Sequence, residues 1–219
     1  MMFKLLKKEF ALCMHPTSIP FLLFSLFVFI PNYPYEVMFF FSGLSVFFVC
    51  LTGRENGDLA FSCGLPVRKQ EIALARMLFC GILQVALFVL AGVFTAVKEV
   101  CFPPEAQINL AGSTANLAFL GYGALLLGIF NLVFFPWYFK NPAKVGAPFI
   151  VAAAVQFFVI ALLIVLRFTA PLFSQTLAAV DPLSMGAKVV VFTIGVLGFV
   201  GGTALAAYLS ARIFARTDL

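Results

Sequence analysis

Arg54–Arg76, RENGDLAFSCGLPVRKQEIALAR, lies between two strongly apolar runs, and its reading decides how the rest of the chain is arranged. It carries Arg54, Glu55, Asp58, Arg68, Lys69, Glu71 and Arg76, out of 14 basic and 9 acidic residues in 219. The runs on either side, Val37–Thr52 and Met77–Val97, carry no charge. An ionised side chain costs about 2.5–3.5 kcal/mol at the centre of a membrane helix. Seven together belong in water or against a water-facing partner, while the flanking runs belong in lipid. Within the segment, Glu55-Asn-Gly-Asp58 is expected to stop one helix and begin a short second one. Leu59-Ala-Phe61 gives that helix an apolar patch, and Gly64-Leu-Pro66 turns the chain. Val67-Arg-Lys-Gln-Glu71 restarts a helix that enters the membrane at Met77. A short helix with charges beside one apolar patch suits docking into a groove on a soluble domain. An ordinary solvated loop is the other reading.

Composition agrees with a membrane protein. Hydrophobic residues make up 63% and charged residues 11%, against about 25% charged in soluble domains. Mean hydropathy is +1.09, and 29 residues are phenylalanine. The net charge of +5 sits in loops and is not a nucleic-acid signal. The five cysteines fall in different segments and read as isolated small hydrophobes, Cys101 alone lying on the external side. The first apolar run is not followed by a small-residue cleavage site, so a cleavable leader is not expected.

Outward from the central segment, Met1–His15 places Phe3, Leu6, Phe10 and Cys13/Met14 at helical spacing among Lys4, Lys7, Lys8 and Glu9. That is an interfacial amphipathic helix over residues 1–15, its lysines suited to anionic lipid headgroups. Six spans are expected: Ser18–Ile30, Val37–Thr52, Met77–Val97, Leu117–Tyr138, Pro148–Leu166 and Ala187–Phe214. The first covers only about 20 Å of a core about 30 Å thick, so it thins the membrane or forms a re-entrant hairpin. Phe135-Pro-Trp-Tyr138 reads as an interfacial aromatic belt. Pro103, Pro104, Glu105 and Gly112 mark one external loop, Pro171, Asp181 and Pro182 another. The fold class is therefore an all-α polytopic membrane protein, one transmembrane domain over residues 1–219.

Of the 14 Lys and Arg residues, all but Lys98, Arg167 and Lys188 fall on the side of the 54–76 segment. The positive-inside rule places that side, with both termini, in the cytoplasm.

No Gly-x-x-x-x-Gly-Lys-Ser/Thr loop occurs, His15 is the sole histidine, and no Ser/His or Cys/His pairing is available. Catalysis and a metal or cofactor bound by this chain are not expected. The spans hold no ionisable residue in their interiors, which argues against ion coupling. Gln84, Asn131 and Gln156 are their polar interior residues. They either face a translocation path or form interhelical hydrogen bonds worth about 0.6 kcal/mol each. Gly198 and Gly202, with Ala124 and Gly128, let helices approach closely, for internal packing or for dimerisation. Phe21, Phe24, Phe27, Phe39, Phe40, Phe41, Phe47 and Phe48 line a path for apolar cargo or face lipid.

Glu55-Asn-Gly-Asp58 followed by Leu65-Pro-Val-Arg-Lys-Gln-Glu-Ile72 resembles the stretch between the second and third spans of short ABC-2-type exporter permeases. Arg68-Lys69 stands where that family often has Ser-Arg. Leu5-Leu-Lys-Lys-Glu-Phe10 resembles its elbow helix, and Tyr208-Leu-Ser-Ala-Arg-Ile-Phe-Ala-Arg-Thr-Asp218 its terminus. The resemblance covers the whole length, and the size is similar to subunits that export peptide toxins or resist peptide antibiotics. It implies a multi-pass permease of the bacterial plasma membrane that pairs with a second permease, identical or not, and with two ABC ATPase subunits that bind ATP and Mg. The 54–76 segment would be the coupling helix. Glu55 and Asp58 would face basic groups of the ATPase, Arg68 and Lys69 acidic ones. Leu59 and Phe61 would give the apolar contact and Pro66 would fix the turn. The Lys140–Lys144 loop would add a second, weaker contact or be a lipid-facing charge pair. The cargo would be a peptide or another lipophilic substrate. A non-transporting scaffold or immunity protein that binds a peptide is the competing reading.

Overall fold

The computed structural model describes residues 2–31, 33–103, 107–109 and 112–217. Met1, Pro104, Glu105 and Asp218, invoked above in the first helix, a loop and the terminus, lie outside them. Helix α1 is Met2–Leu12. Helix α2, Ser18–Leu23, continues as 3-10 turns through Phe29. A short 3-10 stretch, Tyr35–Val37, leads into α3, Met38–Glu55. Then come α4, Asp58–Cys63, and α5, Lys69–Cys101. Helices α6, Leu117–Lys140, α7, Gly146–Thr169, and α8, Met185–Ala215, complete the bundle.

Among the described residues, five helices are long and apolar enough to cross a membrane, and the apolar helix Ser18–Phe29 is shorter. The sequence reading of six spans, the first of them short, compares with these five long helices and one shorter apolar helix. The short helix ends where α5 can complete it. A helix terminus leaves its last carbonyls without partners, which is costly in an apolar medium. The Lys98 ammonium, near the end of α5, donates to the Val28 carbonyl at 2.8 Å and to the Tyr35 hydroxyl at 2.5 Å. The Asn109 side chain donates to the Tyr33 carbonyl at 2.7 Å. The turn after α2 therefore meets the loop that follows α5, at the opposite end of the bundle from α4.

Helix α6 is the axis: most of its apolar stretch is buried, while α8 is mostly exposed. The two cross so closely that only glycine fits. A Cβ on Gly195 would sit 2.0 Å from the Gly121 carbonyl oxygen, and one on Gly128 would sit 2.6 Å from that of Gly198. The glycine pattern in α8 thus packs the bundle internally, as one of its two expected uses. Gly123 makes similar room for the Phe39 ring.

The phenylalanines of α2 and α3 pack largely on one another. Phe21, Phe24 and Phe27 each meet Phe41, while Phe40 and Phe47 meet Phe149 of α7. The aromatic belt is corrected too. Phe135 and Tyr138 are buried core residues, and only Trp137 of that run is exposed. Helical geometry explains it, since Phe135, Trp137 and Tyr138 fall at different angles around one helix and cannot share one face.

The far end of the bundle is tied by charge. Arg167 reaches Glu36 at 2.5 Å and the Ser113 hydroxyl at 2.6 Å, and Ser113 donates to Glu36 at 2.9 Å. Lys188 pairs with Asp181 at 2.5 Å.

Candidate functional site: the α4 hairpin and its buried charges

Gly57 links α3 to α4 with φ 62°, a left-handed conformation that glycine adopts without steric cost. After α4 the Val67 amide donates to the Leu65 carbonyl at 2.7 Å, closing a three-residue turn around Pro66, whose ring presets the required φ. The Arg68 amide then reaches Glu71 at 3.4 Å as α5 begins. The six residues of α4 are therefore held between two joints.

Helix α4 has two unlike faces. Asp58, Leu59 and Ser62 are buried. Phe61 is 61% exposed, and Leu65, Arg54, Glu55, Pro66 and Arg68 of the same hairpin are exposed too. Arg54 lies 3.7 Å from Glu55 and 3.4 Å from the Ala143 carbonyl, which brings the exposed Lys140 and Lys144 alongside.

Three expected contact residues turn inward, the buried Leu59 and two charged ones. Asp58 does not face outward, because its carboxylate is paired with Arg76 and lies 2.9 Å from the Lys8 ammonium. Lys69 is half-buried and donates to the Thr217 carbonyl at 2.6 Å, fastening the start of α5 to the end of α8. The expectation that all seven charges sit in water or against a water-facing partner is corrected for Asp58 and Arg76, which are buried within the chain. Opposite charges at contact distance offset part of the desolvation that would forbid either alone.

Arg76 is fully buried. It pairs with Glu9 through Nε and with Asp58 through Nη2, and reaches the Tyr138 hydroxyl at 3.4 Å and the Cys13 sulfur at 3.1 Å. Lys8 closes the arrangement, 2.9 Å from Glu9 and 2.7 Å from the Ser62 hydroxyl. Two cations and two anions thus form a neutral ring, Glu9–Arg76–Asp58–Lys8, that joins α1, α4 and α5. Gly53 leaves it space, since a Cβ there would lie 2.6 Å from Arg76 Nη1. Glu9, Cys13 and Asp58 have the mutual spacing of a metal site, but the guanidinium and ammonium already neutralise the two carboxylates. Burial holds the Cys13 thiol well above its usual range, hence protonated.

The sequence reading missed the ring. Its available signals were an arginine at the lipid boundary and a single glutamate among the lysines of α1.

Gln84 and Asn131 lie side by side, and Gln156 is held separately. Gln84 and Asn131 exchange two hydrogen bonds of 2.7 and 2.8 Å, and Asn131 also donates to Thr203 at 2.9 Å. Gln156 donates to the Leu126 carbonyl at 3.2 Å. All three are buried and hydrogen-bonded between helices, as one of their two expected uses has it.

Fold and hairpin together define a polytopic α-helical membrane subunit that presents a short, charged helical knob at one end. The chain belongs to the ABC-2 family of transporter proteins, whose family profile matches residues 4–215. That makes it the membrane component of an ABC transporter, with the ATPase in associated subunits. No curated protein and no solved structure matches the chain.

Proposed function

We propose that the chain is the permease subunit of an ATP-driven exporter in the bacterial plasma membrane, with α4 as the surface that receives the stroke of a separate ATPase. The observation that carries this reading is Phe61. It stands 61% exposed on a helix whose opposite face is locked to α1 and α5 by buried ion pairs. A knob of this build fits an apolar groove on a soluble domain. The exposed Arg54, Glu55 and Arg68 of the same hairpin supply the charges that set register. Lys140 and Lys144 widen the contact toward an acidic surface. ATP and Mg belong to the ATPase, and no step of hydrolysis falls to this chain.

The same reading places both termini and α4 in the cytoplasm, on the charge bias of the loops. A second permease subunit, identical or homologous, completes the path. Cargo reaches it from lipid and is amphipathic or hydrophobic, peptides included. Purification of the tagged chain in mild detergent tests the core of this reading. An ABC ATPase is expected to co-purify, and its hydrolysis to respond to added amphipathic peptide. Repeated recovery of the chain with no ATPase would favour the scaffold reading instead.

A further inference from the structure

The ring Glu9–Arg76–Asp58–Lys8 is an expensive way to fasten three helices. Removing two ion pairs from water costs several kcal/mol per ion, and well-packed apolar side chains of similar size often hold a core as firmly. What charges in a ring supply that apolar contacts do not is a fixed register. Each carboxylate here touches both cations, and each cation touches both carboxylates. No one of the three helices can slide without breaking two contacts.

The ring also sits at the one place where the backbone transmits little. Helix α4 is six residues long and bounded by Gly57 and the Gly64–Pro66 turn. A push on Phe61 would be absorbed at those joints unless side chains passed it on. Asp58 and Ser62 leave α4 one turn apart on its buried face, and both end in the ring.

From Arg76 the path is continuous. Helix α5 runs unbroken from Lys69 to Cys101. Arg76 is buried near its start and Lys98 near its end, about 33 Å along the axis. Lys98 in turn holds the Val28 carbonyl and the Tyr35 hydroxyl, the two sides of the turn between α2 and α3.

Resting on the reading of α4 as the ATPase contact, we propose that Arg76 is a positioning residue that locks α1, α4 and α5 into one moving body, so that a displacement of α4 is delivered through α5 to the Lys98 latch at the far end. The interfacial helix α1 belongs to the moving body, and its shift through the headgroup region accompanies each stroke.

The test uses the complex of the chain with its co-purifying ATPase, reconstituted in vesicles. Spin labels replace Val100 and Phe168, 86% and 68% exposed near the far ends of α5 and α7. ATP with vanadate is the probe. The otherwise unaltered chain is expected to show a nucleotide-dependent change in the label distance. The charge-balanced pair Asp58→Leu with Arg76→Met leaves Lys8 with Glu9, and is expected to retain ATPase binding but lose that change. Arg76→Lys is expected to keep part of it. Lys8→Met with Glu9→Gln spares the Asp58–Arg76 contact and serves where the first pair does not insert. With it, labels on Lys4 and Ala60 are expected to lose their fixed separation during the stroke. A full Val100–Phe168 distance change in an inserted Asp58→Leu/Arg76→Met variant, or a Lys4–Ala60 separation that stays fixed in the Lys8→Met/Glu9→Gln variant, overturns the proposal. Absence of any ATPase from the unaltered chain overturns the underlying reading of α4, a separate result.

Discussion

Arg76 and Lys98 lie buried near opposite ends of a single uninterrupted helix, and each is held by groups from other elements. Arg76 has Glu9 and Asp58; Lys98 has the Val28 carbonyl and Tyr35. The partners differ in kind. Arg76 is ionically balanced, so removal of its charge alone strands two buried carboxylates with only Lys8 between them. Arg76→Leu is expected to destabilise the protein by about 3–5 kcal/mol. The balanced pair Asp58→Leu with Arg76→Met is expected to cost clearly less. Thermal unfolding in detergent, followed by loss of the monodisperse peak, ranks the two. Equal loss in both would mean that the ring contributes packing and little electrostatics.

Gly53 makes a second test of the same site. Its missing side chain is the space that Arg76 Nη1 occupies. The guanidinium is pinned on two sides and has nowhere to retreat. Gly53→Leu is expected to approach the cost of losing Arg76, while Gly81→Leu, where nothing stands within 4 Å, is expected to be close to neutral.

At the α6–α8 crossing the backbones touch. Gly195→Ala puts a methyl group within 2.0 Å of the Gly121 carbonyl oxygen, so the helices must separate along their length. Overpacking of this kind costs about 1–3 kcal/mol. Gly201→Ala on the same helix meets nothing within 4 Å and is expected to change stability by less than about 0.5 kcal/mol. Similar unfolding curves for the two variants would show that the crossing is looser than described.

Hydropathy placed the long helices within a few residues, because a continuous apolar run at 1.5 Å per residue leaves few alternatives in lipid. The short helix at Ser18–Phe29 was legible as too short, but its partner was not. Lys98 read as an external charge, and nothing in the local pattern says that a lysine will reach back to another helix's last carbonyls. The hairpin was legible as an exposed, turn-bounded element. The inward direction of Asp58 was not, since a helix of six residues has too little period to orient by. Gln84 and Asn131 illustrate the same limit. Their amides mark a polar need inside a bundle, and only the third dimension shows that they meet it in each other.

That mutual satisfaction has a measurable signature. Asn131→Leu alone leaves Gln84 without a partner in the core, at about 1–3 kcal/mol. Gln84→Leu with Asn131→Leu removes both polar groups together and is expected to recover most of that loss. A pair of path-lining residues would behave otherwise, with additive costs and altered cargo stimulation of the ATPase. Denaturation of the single and double variants distinguishes the two, and additivity would favour the path reading.

The exposed face of α4 separates contact from stability. Phe61→Glu removes no buried contact, so stability is expected to stay within about 0.5 kcal/mol of the parent chain. Recovery of the ATPase with the tagged chain is expected to fall at least tenfold, because a carboxylate in an apolar groove is both desolvated and unpaired. Arg68→Glu is a cleaner rim variant than any at Lys69, whose ammonium holds Thr217 in place. It is expected to weaken association more at low than at high salt, as a screened surface charge does. Side-specific labelling joins these variants to orientation. In a cysteine-free background, Asn56→Cys and Lys144→Cys are expected to react only from the cytoplasmic side, and Ile108→Cys, exposed near the far end, only from outside. Labelling of Asn56→Cys from outside would put α4 beyond the reach of any cytoplasmic ATPase, and the association lost with Phe61→Glu would then need another explanation.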